Sequence, residues 1–278
     1  MGKVRIAEHA GACFGVRRGL DLVEEALARG DGSLYTLGPI IHNPRVVADL
    51  EARGARVAKD IDEVDAGSTL VLRTHGVPPE VEERARERGI CVIDATCPYV
   101  KRVHEAAKDL CEQGFDVLIA GEAGHAEVEA TAARAGGAKA VSCAAEARKA
   151  ATSRVGLVCQ TTISKACLKE VAAELAVRTK TLLVRNTICS ATQQRQNAAA
   201  ALAAEVDVMI VVGGRTSANT CHLKEVAAST GTPTYLVESA DEITPAWLDG
   251  ATTVGITAGA STPEAHITEV ADRIERLL

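Results

Sequence analysis

The sequence predicts an α/β fold of three pseudo-equivalent units with mainly parallel sheets, and three observations predict it. Short apolar runs of strand character alternate with amphipathic helical patterns of roughly 10–15 residues. A cysteine recurs at residues 13, 97 and 189, each time between such a run and such a helix. The intervals of 84 and 92 residues, with 89 remaining after Cys189, divide the 278 residues into near-equal thirds.

The elements repeat in order. Val4–Ala7 leads to Cys13 and a helix around Arg17–Arg29, Cys91–Asp94 to Cys97 and Val100–Gln113, and Leu182–Arg185 to Cys189 and Thr192–Glu205. Second strands follow at Leu34–Leu37, Val117–Ala120 and Val208–Val212. Each runs into a polar loop that carries His42, His125 or Ser217, at 29, 28 and 28 residues after its cysteine. Later strands, Thr69–Leu72, Val155–Val158 and Thr253–Ile256, end in loops holding His75, Thr161 and Ser261. In parallel α/β sheets ligands lie beyond the carboxyl ends of the strands, where all these loops fall. Asn43-Pro44, Val77-Pro78 and Thr262-Pro263-Glu264 read as helix starts, whose free N–H groups suit a phosphate.

Composition excludes several classes. Aromatic residues make up 2% of the chain, too few for stacking platforms on single-stranded nucleic acid. A net charge of −6 lacks the basic footprint of a nucleic-acid binder. The longest apolar run, Val206–Val212, is interrupted by Asp207 and falls far short of the roughly 20 residues a membrane span needs. The first 18 residues have no secretory apolar core, so a cytoplasmic protein is expected. Nine cysteines, an odd number, argue against a disulfide framework.

For Cys91, Cys111, Cys143, Cys159, Cys167 and Cys221 the favoured reading is a small buried hydrophobe. The equivalent placement of Cys13, Cys97 and Cys189 favours a ligand set instead. Thiolates suit an iron–sulfur cluster with one open iron, or a zinc ion completed by a histidine, and spacing alone does not separate the two. His42, His75 and His125 beyond strand ends, with Ser217, Asn219 and Ser261, supply N–H and O–H donors for a multiply charged anion. Glu127 lies in the first turn after His125 and reads equally as a solvated helix acid or a general acid. Thr161 orients a proton or enters a helix. Glu80–Arg88 reads as a solvated face, and Gly213-Gly214 lacks the spacing of a dinucleotide fingerprint.

Collinear segments from residue 11 to the C-terminal helix resemble the 4-hydroxy-3-methylbut-2-enyl diphosphate reductase family. They are Gly11-Ala12-Cys13-Phe14-Gly15-Val16, Ile41-His42-Asn43, Thr74-His75-Gly76-Val77, Asp94-Ala95-Thr96-Cys97-Pro98 and Gly124-His125-Ala126-Glu127-Val128-Glu129, continuing through Gln160-Thr161-Thr162-Ile163-Ser164, Ile188-Cys189-Ser190-Ala191-Thr192 and Thr257-Ala258-Gly259-Ala260-Ser261. The resemblance implies a trefoil of three α/β domains, 14–96, 97–186 and 187–270, around a central cluster, with 1–13 and 271–278 packing on the core. It implies a 4Fe-4S cluster on Cys13, Cys97 and Cys189, and a diphosphate held by His42, His75, His125, Ser217, Asn219 and Ser261. Glu127 and Thr161 would deliver protons, and a ferredoxin or flavodoxin would supply electrons. The implied reaction is reductive dehydroxylation of the allylic diphosphate to isopentenyl and dimethylallyl diphosphate, the last step of the methylerythritol phosphate route. A zinc-dependent phosphoester hydrolase and a non-catalytic diphosphate-binding paralogue are the competing readings. The chain departs from the family pattern at Ala126, where proline is usual, at Ala130 in place of glycine, and at Ala218 in place of a second serine.

Overall fold

A computed structural model describes residues 2–30 and 32–278. Among these residues, twelve strands form three four-stranded sheets, and every strand pairing is parallel. The α/β class read from the sequence is therefore the observed one. By packing, the chain divides into two compact units: residues 1–14, 42–44 and 189–278 form one, and 15–41 with 45–188 the other.

The larger unit holds two sheets. In chain order its first elements are α1 (Phe14–Arg29, entering from Cys13), β2 (Leu34–Leu37), α2 (Pro44–Ala52), β3 (Ala55–Ala58), β4 (Thr69–Leu72), α3 (Pro79–Glu87) and β5 (Cys91–Asp94). The strands lie in the order β3-β2-β4-β5. The second sheet, ordered β7-β6-β8-β9, follows with α4 (Pro98–Glu112), β6 (Asp116–Ala120), α5 (Ala126–Arg134), β7 (Lys139–Val141), α6 (Ala144–Ala150), β8 (Arg154–Cys159), α7 (Lys165–Ala176) and β9 (Thr181–Val184). Central strands are buried along their length, as expected for sheets covered on both faces, whereas β9 is an edge that leaves Leu183 and Val184 exposed.

The smaller unit joins both ends of the chain. Its sheet, β1-β12-β10-β11, consists of β1 (Lys3–Ile6), β10 (Val208–Val212), β11 (Thr234–Val237) and β12 (Thr253–Ala258), with α8 (Ser190–Ala203), α9 (Ala218–Ala228) and α10 (Glu264–Glu275). Lys3 to Ile6 register against Thr253 to Ile256, so the N-terminal segment is an integral strand. With so few aromatics, the core is branched aliphatic: Val208, Ile210, Val212, Val254, Ile256, Val270 and Ile274 are buried together. Stacked Tyr235 and Trp247, 4.2 Å between centroids, flank it.

Two expectations shift. Pro78 is the residue before α3 and Pro79 opens it, one position later than Val77-Pro78 suggested. Of the six cysteines expected to be small buried hydrophobes only Cys159, on inner strand β8, is fully buried; Cys111, Cys143, Cys167 and Cys221 are half-buried, and Cys91 is exposed because β5 is an edge strand.

Candidate active site

The three repeat cysteines occupy one local position. Cys13 immediately precedes α1, and Cys97 and Cys189 are the N-caps of α4 and α8 with φ/ψ of −58/135° and −64/136°. An extended residue before a helix turns its side chain toward the first free N–H groups, which favour negative charge. In the smaller unit, the backbone N–H groups of Thr192 and Ala191 favour the ionised form of Cys189. Burial pushes the Cys189 thiol up, opposed by those N–H groups and by Arg195, while a nearby Cys13 thiolate raises it further. All nine cysteines are free thiols. Cys13 is placed by its backbone, which donates to Ala260 O at 3.2 Å, while Gly11 donates to Ala258 O at 3.4 Å. Soft, unoxidised sulfurs at helix N-termini fit a cluster or zinc better than a hard cation.

The same unit gathers four of the expected anion-binding residues. His42 and Asn43 belong to it: Asn43 Nδ2 donates to Ser261 O at 2.8 Å, and the His42 carbonyl lies against Gly214. Ser217 caps α9 by accepting from Thr220 N at 3.4 Å. Asn219 is buried at 4% exposure, and neither its Oδ1 nor its Nδ2 has a hydrogen-bond partner among the described residues. Thr220 Oγ1 and Thr257 Oγ1 are buried in the same condition. Leaving such groups unpaired is costly, and a polar ligand seated here would satisfy them. Gly259 makes room there, since a Cβ on it would sit 2.2 Å from Thr220 Oγ1.

The larger unit assembles the acid. His125 is the N-cap of α5, and its Nδ1 accepts from Glu127 N at 3.1 Å. With Nδ1 used as an acceptor, the neutral ring carries its proton on Nε2 as a donor. His75 meets this ring edge-on, with centroids 5.5 Å apart at 82°. Glu127 is 1% exposed, which overturns its reading as a solvated first-turn acid. Thr161 donates to it twice, from its backbone N to Oε1 at 2.6 Å and from Oγ1 to Oε2 at 2.7 Å. Burial raises the Glu127 carboxyl to about 7 against the pull of these two bonds. Thr161 is not a helix-entry residue, because Ser164 caps α7.

The loop bearing His75 is braced from two sides. Arg73 Nε donates to Gly76 O at 3.2 Å, and Arg134, at the end of the helix that begins with Ala126 and Glu127, donates to Val77 O and pairs with Glu82 Oε1 at 2.6 Å. That pairing half-buries Glu82, so Glu80–Arg88 is only partly a solvated face. Buried beneath is His104, whose burial lowers its pKa to about 4 and whose ring abuts Gly76. Sequence reasoning does not single out His104 or Arg195. Their only signal is an ionisable residue at an inward position of an otherwise amphipathic helix.

Parallel α/β units whose helix N-termini carry thiols, with a buried carboxylic acid of raised pKa, have the parts of an enzyme site. The chain belongs to the LytB protein family, whose model matches residues 4–275. The 4-hydroxy-3-methylbut-2-enyl diphosphate reductase of Aquifex aeolicus is 45% identical over all of this chain and 97% of its own length. That of Pelobacter propionicus is 46% identical over 98% of this chain and 97% of its own. A solved (E)-4-hydroxy-3-methyl-but-2-enyl diphosphate reductase, described as the terminal enzyme of the non-mevalonate pathway, is 45% identical with a TM-score of 0.71, covering 99% of this chain and all of the other. The reductase of Plasmodium falciparum, 27% identical, superposes at 0.94 over 98% of this chain and 87% of the other. Among the described residues no helix is long and apolar enough to cross a membrane.

Proposed function

We propose that this protein removes the hydroxyl group of 4-hydroxy-3-methylbut-2-enyl diphosphate reductively, giving isopentenyl and dimethylallyl diphosphate and releasing water. Two electrons and two protons balance the reaction. The observation that carries the reading is the buried, partly protonated Glu127 held at both oxygens by Thr161. A carboxyl with a pKa of about 7 is poised to give a proton at neutral pH.

Cys13, Cys97 and Cys189 would hold an iron–sulfur cluster, expected to be 4Fe-4S. When bound, such a cluster supplies electrons and, at an iron lacking a cysteine, a Lewis acid for the substrate oxygen. The protein's own residues do the rest. His42, His75, His125, Ser217, Asn219 and Ser261 donate to the diphosphate, which anchors the short carbon chain. Glu127 protonates the departing hydroxyl, and Thr161 keeps the carboxyl aimed while returning hydrogen bonds to its ionised form. Protonation of the remaining allylic fragment at either end accounts for two products. No dinucleotide fingerprint is present in the sequence, which supports a ferredoxin or flavodoxin as electron source.

Anaerobic purification tests this. The expected result is broad absorbance near 400 nm, about equal iron and sulfide, and reduction of the allylic diphosphate by a reduced ferredoxin. Cys13→Ser, Cys97→Ser and Cys189→Ser each bleach the protein, while Cys111→Ser and Cys143→Ser do not. Colourless, zinc-containing protein that hydrolyses phosphoesters, or a cluster without turnover, overturns the proposal.

A further inference from the structure

We propose that Arg195 is a positioning residue for the thiol site, clamping the Cys13 and Cys189 segments together and placing a buried positive charge beside them; the second role rests on the cluster reading above. Arg195 lies on the inner side of α8 and is 3% exposed. One arm of its guanidinium, Nη1, donates to Ala191 O at 3.0 Å, one turn back on its own helix and two residues after Cys189. The other arm, Nη2, donates to Gly11 O at 2.7 Å, two residues before Cys13 and 184 positions away in sequence. A single planar side chain thus fixes the backbone beside both cysteines.

Geometry explains why this is an arginine. The guanidinium is a rigid fork that serves two acceptors in different directions, while a lysine ammonium is a point charge on a flexible stem. Energy explains why it is there. A guanidinium held away from water is costly, and negative charge nearby offsets that cost. A cluster on thiolates is negatively charged, more so when reduced, and its potential depends on surrounding charge and hydrogen bonds. Arg195 therefore favours the reduced state and preserves the spacing of two ligands before any metal arrives.

The test uses Arg195→Met and Arg195→Lys in the full-length protein. In metal-free protein, a bifunctional thiol reagent should join Cys13 to Cys189 in the wild type, with slower joining in both variants, since both lose the fork. In anaerobically loaded protein, Arg195→Met should lower the reduced-to-oxidised ratio at fixed potential about tenfold, a shift of about 59 mV for a one-electron couple. Arg195→Lys should stay near the wild-type potential, because it keeps the charge. Wild-type joining rates in both variants would overturn the clamp. An unchanged potential in Arg195→Met, with melting and far-UV dichroism intact, would overturn the charge role. Should Arg195→Met fail to fold, a potential for Arg195→Lys displaced as far as that expected for Met overturns it instead. If the wild type takes up no cluster, the cluster reading fails and the charge role with it, while the joining rates still decide the clamp.

Discussion

Thr161 holds Glu127 by both carboxylate oxygens, one through a backbone N–H at 2.6 Å and one through a hydroxyl at 2.7 Å. The backbone contact survives any side-chain change, whereas the hydroxyl contact depends on threonine. Both contacts hold the acid in place and both draw its pKa down, and only the hydroxyl contact can be removed by substitution.

Glu127→Gln preserves both contacts, because the amide oxygen accepts from Thr161 N and the amide nitrogen donates to Oγ1. Turnover should fall ~100- to 10,000-fold, in the range of general acid contributions, with substrate affinity nearly unchanged. Steady-state and equilibrium-binding measurements check this. A wild-type kcat in the Glu127→Gln variant would remove the acid from the mechanism.

The same substitution predicts a pH effect on stability. The folded carboxyl titrates near 7, above the ordinary value of 4.5. For a raised acid, the contribution is full below the unfolded pKa and is lost as pH rises through the folded one. Glu127→Gln should therefore melt higher relative to the wild type at pH 8 than at pH 4.5. A constant difference across that window contradicts the shift.

Thr161→Val removes only the hydroxyl bond, which lowers the Glu127 pKa. The alkaline limb of the turnover profile should move to higher pH, and stability should drop by about 1 kcal/mol. An alkaline limb that stays in place would show that the limb reports another group.

Gly76→Ala should cost about 1–3 kcal/mol and weaken diphosphate binding. Gly76 has φ of +77°, and an added Cβ would lie 2.8 Å from His104 Cε1, directly beneath the loop of His75. Adding His104→Ala should recover part of the melting temperature, relieving the clash but not the backbone strain.

Ala126→Pro should raise stability by about 0.4–1 kcal/mol without loss of activity. Ala126 is the first residue of α5, where proline is tolerated, and His125 before it is already extended at ψ of 135°. Calorimetry with a turnover assay decides it.

Much of the fold is legible in the sequence because it is local. The strands at Leu34–Leu37, Cys91–Asp94 and Val208–Val212 begin and end where apolar runs do, and Cys97 and Cys189 cap helices as their placement implies. Glu127 is ambiguous in sequence because burial is a property of what packs over a residue, here Thr161 from 34 positions away. Arg195 and His104 are invisible for the same reason: a charged residue within a helix reads as surface until a distant carbonyl or glycine is found against it. Leu183 and Val184 show the reverse, an apolar run that reads as interior but forms a sheet edge.

The pairing of β1 with β12 has a consequence for biosynthesis. Residues 3–6 leave the ribosome 250 residues ahead of Thr253–Ile256, the partners they register with. Cys13 is anchored to Ala260 O, so its backbone is not held in its final place until residue 260 has been made. Anything that needs the Cys13 thiol in place therefore waits for β12 and Ala260, and a messenger truncated before β12 yields a Cys13 segment without its anchor.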